Sequence, residues 1–159
     1  MGRKAMSKTI RLSDIVDALE MQSDEYALFL DLNSGKVEPI SHSLLGQAEE
    51  SGGEEPELLD WQEHEWEIAK RIVASDCFVA LPSKFDVNDW EIMNEFSQAM
   101  ESSRIRSELL DAIHGSGAFR NFKSAIRRHK IEQPWFDFRA EALKKIAIDW
   151  CEENQIVWE

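Results

Sequence analysis

The sequence has no long hydrophobic run: nowhere does it reach the roughly 18 uninterrupted apolar residues that a membrane span requires. The basic stretch Met1–Arg11 is not followed by an apolar signal-peptide core, so a cytoplasmic protein with no membrane contact is expected. Cysteine is nearly missing. Cys77 and Cys151 stand alone, without a CxxC pair, which argues against a disulfide framework and fits buried free thiols in a reducing compartment. Basic residues are scarce over residues 12–103, with 4 against 22 acidic ones, and the net charge of −13 repels a polyanion at long range. Nucleic acid is therefore a disfavoured partner.

The familiar catalytic patterns are missing as well. Gly115 and Gly117 are followed by Ala118 and Phe119, which is neither a Walker nor a dinucleotide-binding continuation. In His114-Gly115-Ser116-Gly117 no glycine stands two before the serine and a helix precedes it, so no nucleophile elbow forms. His42, His64 and His129 have no context that pairs them with Ser116, Cys77 or Cys151. Asp60, His64 and Glu67 share i, i+4, i+7 spacing, but glutamate-rich helices produce such spacing freely and no second histidine accompanies them. We therefore expect no catalytic residue, no metal and no cofactor, and lean against an enzyme.

What is present is enough to fold. With 159 residues, 43% of them hydrophobic, and six tryptophans, the chain is long and apolar enough for one domain spanning residues 1–159, with residues 1–11 expected to be flexible. Leu12, Ile15, Val16 and Leu19 predict a short amphipathic helix over about 13–21 with Ser13 as its cap. The strand-favouring run from Glu25 to Leu32, a turn with Gly35 at positive φ, and Val37–Ser41 read as a β-hairpin whose second strand Pro39 confines to an edge. Residues 46–57 read as an acidic solvated loop. A helix over 58–75 follows, with Trp61, Ile68 and Ile72 on one side, and then a strand at Cys77–Leu81 stopped by Pro82.

The C-terminal half reads as helical throughout. Asp86 and Asp89 suggest a capping box before Val87, Trp90, Met93, Phe96 and Met100, and a second helix covers Arg104–His114. After Gly115-Ser116-Gly117 a third runs over 118–130, and Pro134 opens a last one with Trp135, Phe138, Ala142, Ile146 and Trp150 in a stripe. The fold class is α+β: a small antiparallel sheet, hairpin plus one strand, packed with several α-helices.

One segment departs from the acidic background. Arg104–Lys130 carries seven basic and two acidic residues. Helical spacing places Arg120, Lys123, Arg127 and Lys130 in one quadrant beside an apolar face of Phe119, Phe122 and Ile126. Gly115, Ser116 and Gly117 then put a helix N-terminus, with its free N–H groups, just before Arg120, an arrangement suited to phosphate or carboxylate. Alternatively Ser116 is only a cap and the cations offset carboxylates of the same domain. Arg139, with Trp135 and Phe138, either forms a stacking surface or sits beside the core paired with a carboxylate.

Gly117-Ala-Phe-Arg120 with Phe122-Lys123, then Trp135-Phe-x-Phe-Arg139, Ala147 and Trp150, resembles a bacterial uncharacterised protein family, UPF type, number 0158. Its members carry segments close to G-K-G-A-F-R-R-F-K-D, W-Y-x-F-R and A-x-x-W-L. The Leu30-Asp-Leu-x-x-Gly35-x-Val37 hairpin and Leu81-Pro82 before Phe85 are similar too. Ser116, Asn121, Ser124 and Cys151 depart from the pattern, and the first two remove positive charge. The resemblance implies a fold and assigns no activity. We expect a non-catalytic interaction or regulatory domain that binds an acidic protein partner through helix 118–130. A phosphate-bearing ligand, nucleotide or RNA, at Gly115–Gly117 is the alternative, and an enzyme of unrecognised type the third possibility.

Overall fold

Tyr26–Asp31 (β1) is the central strand of a three-stranded antiparallel sheet in the computed structural model, which describes residues 9–51 and 57–159. Val37–Ser41 (β2) pairs with it from Leu30↔Val37 to Tyr26↔Ser41, and Phe78–Ala80 (β3) pairs on the other side through Leu30↔Val79. The hairpin turn closes as its residues require. Gly35 takes φ +76°, and the buried Asp31 carboxylate accepts from the Asn33 N–H at 2.9 Å, the local bond by which Asp initiates turns. Pro39 lies on edge strand β2, where its missing N–H breaks no ladder.

The helices are Leu12–Glu20 (α1), His42–Ser51 (α2), Glu63–Ala74 (α3), Lys84–Val87 (α4), Asp89–Gln98 (α5), Ser103–Ile113 (α6), Ala118–Arg128 (α7) and Glu132–Glu153 (α8), with a 3₁₀ turn at Asp60–Gln62. The class is α+β, and the C-terminal half is helical. Among the described residues no helix is long and apolar enough to cross a membrane. The chain divides into two compact units: residues up to Asp86 together with Ile146–Glu159, and Val87–Lys145.

In the first unit, the expected acidic loop is corrected. Residues 46–51 belong to α2, residues 52–56 lie outside the described part, and only Glu57 remains in an irregular stretch. The Ser41 hydroxyl accepts from the Leu44 N–H at 3.2 Å, and Leu44 and Ala48, one turn apart, join Ile40, Trp66, Ile68 and Ala69 in a buried cluster. Three apolar residues were too few to reveal this helix against Gly46 and the glutamates. Trp61, expected on the buried side of a helix over 58–75, sits in the 3₁₀ turn and is 67% exposed. Of residues 1–11, expected to be flexible, 1–8 lie outside the described residues; Ile10 is buried, bridges Trp158, and exchanges backbone hydrogen bonds with Val157 and Glu159 at 3.0 Å.

Capping also differs from expectation at two helices. Arg11, not Ser13, stands at the start of α1. Ser83 and Asp86 form the reciprocal box, one turn earlier than expected, with the Asp86 carboxylate accepting from the Ser83 N–H at 2.7 Å. Asn88, at φ 45°, caps α5 through the Glu91 N–H.

The final turns of α8 complete the first unit. Ala147, Trp150 and Cys151 are buried, whereas Ile146 of the expected stripe is half-buried. The Trp150 indole N–H donates to the Ala80 carbonyl at 2.9 Å, at the end of β3. Removing that ring leaves a cavity and an unpaired strand-end carbonyl. Trp150→Ala should therefore destabilise the protein by about 3–5 kcal/mol, measured by denaturant unfolding. An unchanged midpoint would contradict this packing.

Candidate functional site

The second unit is held by aromatic edges. Phe96 of α5 meets Phe122 of α7 at 6.2 Å between ring centroids and both Trp135 and Phe138 of α8 at 5.4 Å, all edge-on. Phe122 meets Trp135 at 4.9 Å. With Phe122, Ala125 and Ile126 turned inward, helical periodicity leaves Arg120, Lys123 and Arg127 exposed.

Most cations of this unit that have partners are held by two carboxylates. Glu108 faces Arg104 at 3.6 Å, Arg128 at 3.4 Å and His129, and Asp89 receives Arg139 Nε at 3.0 Å and its terminal nitrogen at 3.5 Å. Arg139 thus has the internal carboxylate foreseen for it. Among the described residues no carboxylate lies within 4.0 Å of Arg120, Lys123, Arg127 or Lys130.

Three details correct the expected stripe. Phe119 is 51% exposed and lines a groove with Phe122 and Trp135 instead of being buried with them; periodicity alone does not show how deeply a residue on the apolar side is covered. Lys130 is off the helix at φ +55°. The Ile131 N–H reaches back to the Ile126 carbonyl at 3.0 Å, a Schellman-type ending that removes Lys130 from the quadrant. Gly117, not Ser116, stands at the N-cap, with φ +74°, a conformation glycine adopts freely. Gly115, Ser116 and Gly117 are exposed, and the Asn121 side-chain amide donates to the Ser116 carbonyl at 3.2 Å. The first turn of α7 holds no acidic residue to offset the helix dipole.

Phe136 was hidden in the sequence by its neighbours. It follows buried Trp135 yet is 57% exposed, being one residue off the buried face of α8. Phe119, Phe122, Trp135, Phe136, Lys123 and Arg139 line a groove of about 290 Å³. A second groove of about 200 Å³ shares Lys123, Trp135 and Phe136 and adds Ile126, Arg127 and Glu132. The result is a side-chain-sized, two-part groove, largely apolar, in which Lys123 and Arg127 are the exposed cations, and the Asp89 carboxylate, held by Arg139, and Glu132 also line it.

The other chemistry considered finds little support. A concavity of about 740 Å³ belongs to the first unit; Asp14, Asp17, Met21, Tyr26, Lys36 and Pro39 are among its lining. Of its two hydroxyl-bearing residues, Tyr26 and Ser23, the latter is engaged in a turn, accepting from the Glu25 N–H at 3.1 Å. Burial, with the Glu152 charge, pushes the Cys151 thiol up to about 11, which leaves it protonated and inert at neutral pH. Cys77 is half-buried rather than buried. Asp60 stands in the 3₁₀ turn before α3, so the Asp60, His64, Glu67 spacing is not that of one α-helix. Among the described residues no three His, Cys, Asp or Glu side chains converge as metal ligands.

Against known proteins, the model of the Uncharacterised protein family (UPF0158) matches residues 6–158. The chain belongs to this family. A UPF0158 relative, "UPF0158 protein PA5073" of Pseudomonas aeruginosa, is 28% identical over 149 residues, covering 93% of this chain and 84% of the relative. No solved structure matches. The UPF0158 match spans all the elements described above, including both the sheet and the α7 groove.

Glu108 provides a pH test of how the α6 and α7 cations are held. The hydrogen bond from His129, opposed by burial and assisted by Arg128, holds its carboxyl below the ordinary value of 4.5. A depressed acid stabilises the fold above the unfolded-state pKa and loses that contribution as pH falls through the folded one. As pH falls below the ordinary value of 4.5, the wild type should lose stability relative to Glu108→Gln. Thermal midpoints that run parallel for the two proteins over this range would contradict the arrangement.

Proposed function

We propose that this chain is a non-catalytic, cytoplasmic interaction domain that binds an acidic protein segment through the exposed face of α7. One observation carries the reading: Arg120, Lys123 and Arg127 are solvent-exposed without a carboxylate in reach among the described residues, beside two exposed phenylalanines, while Arg104, Arg128 and Arg139 in the same unit are paired. Cations needed only for internal balance would sit as those three do. Exposed cations next to apolar grooves suit a ligand that brings carboxylates and an apolar anchor together, since the anchor supplies affinity and the charges supply orientation and on-rate. Groove volumes of about 290 and 200 Å³ lie at or below the lower limit of small-molecule pockets, roughly 300–1,000 Å³, which favours a side chain over a free metabolite.

A phosphate-bearing ligand at Gly115–Gly117 is the competing reading, and one assay separates the two. Fluorescence titration should compare a glutamate-rich peptide with a central tryptophan against a single-stranded oligonucleotide. The peptide should bind more tightly, weaken with added salt, and lose at least about tenfold in affinity with Arg120→Glu plus Lys123→Glu, a change worth about 1.4 kcal/mol. Because both side chains are exposed, the thermal midpoint of the double variant should stay near the parent's. Preferential oligonucleotide binding, or a peptide affinity indifferent to the double change, would overturn the reading.

A further inference from the structure

We propose that the acidic segment received by the α7 groove is the Leu59–Trp61 turn of a second copy of this chain; this rests on the reading of α7 as a docking face. The turn has the chemistry that face calls for. Leu59 and Trp61 are 59% and 67% exposed, an unusual cost for two large apolar side chains two residues apart. They are presented on a fixed scaffold: the Gln62 side-chain oxygen accepts from the Leu59 N–H at 3.0 Å, and the Gln62 N–H donates to the Leu59 carbonyl at 2.8 Å. An anchor already held in its turn loses little conformational entropy on docking. Tryptophan is also the side chain most enriched among energetically dominant interface residues.

Charge selects the same pair of surfaces. Glu57, Asp60 and Glu63 flank the anchors, and no lysine or arginine occurs between Gly46 and Glu67. Arg120, Lys123 and Arg127 provide three cations without carboxylate partners among the described residues. Two chains of net charge −13 repel each other at a distance, but at physiological ionic strength the Debye length is about 8 Å. Beyond that length the repulsion is screened, whereas ion pairs formed in contact survive. Self-association should therefore be weakest at very low salt, pass through a maximum, and fall again as salt screens the contacts themselves. Anchor and groove are different surfaces of one chain, so the contact can be reciprocal between two copies or run head to tail. It closes into a dimer if each copy fills the other's groove, and extends into longer assemblies if it does not.

The experiment is sedimentation velocity of the full chain across concentration at about 0.15 M salt, the physiological ionic strength. The mass should rise with concentration. Trp61→Ala, and separately Lys123→Glu with Arg127→Glu, should each weaken association at least about tenfold. The anchor variant keeps its groove and the groove variant keeps its anchor, so mixing the two should produce a pair that neither makes alone. A chain monomeric at every concentration and salt, or association unaffected by both variants, would overturn self-docking. If self-association fails while the glutamate-rich tryptophan peptide still binds in a Lys123-dependent manner, the second copy is wrong and the docking face stands. If the peptide fails too, both are wrong, and Lys123-dependent oligonucleotide binding would assign the face to phosphate instead.

Discussion

The edge-on cluster of Phe96, Phe122, Trp135 and Phe138 is the contact on which the surface of the second unit depends. Each such aromatic pair contributes roughly 0.5–1.5 kcal/mol beyond the burial of its area, whereas an exposed ion pair contributes roughly 0.2–1 kcal/mol. Packing therefore sets the roll of α7, and the charges go where packing leaves them. The cluster turns Phe122 inward, and the same rotation turns Arg120, Lys123 and Arg127 outward. It also places Phe136, next to Trp135 in sequence, on the exposed side of α8.

Charge in this unit follows a simple division. Glu108 and Asp89 each stand where a cation from another helix can reach them, and they neutralise Arg104, Arg128 and Arg139. The remaining cations have no such partner among the described residues because the inward face of α7 is apolar and its outward face meets solvent. A helix whose N-terminal turn contains no acid, preceded by Gly117 at positive φ, adds its dipole to the same positive surface. UPF0158 membership assigns no activity to this surface.

The first unit is organised by a different constraint. β1 is paired with β2 along its length and with β3 over Phe29–Asp31, so its buried end, Leu30 and Asp31, is where the three strands come into register. Helix α2 then packs Leu44 and Ala48 on Trp66 and Ala69, although its own sequence has little apolar content. It shows how tertiary contact overrides weak propensity: a short helix with Gly46 inside is stabilised by the surface it covers rather than by its residues.

The α+β class, the hairpin with Gly35 at positive φ and Pro39 at an edge, the third strand and the helices of the C-terminal half were all legible in the sequence. Each rests on a local cause: alternation, a required backbone angle, a missing N–H, or a 3.6-residue period. The pairing of Arg139 with a carboxylate was legible in kind, but not that Asp89 supplies it. Nor did local pattern reveal that α2 forms, that Trp61 and Phe119 remain exposed, that Lys130 leaves the helix, or that Phe136 joins Lys123 at a groove. These depend on where one element ends against another and which of two nearby carboxylates a cation reaches. Periodicity along a single helix contains neither distance, and only the packed chain sets them.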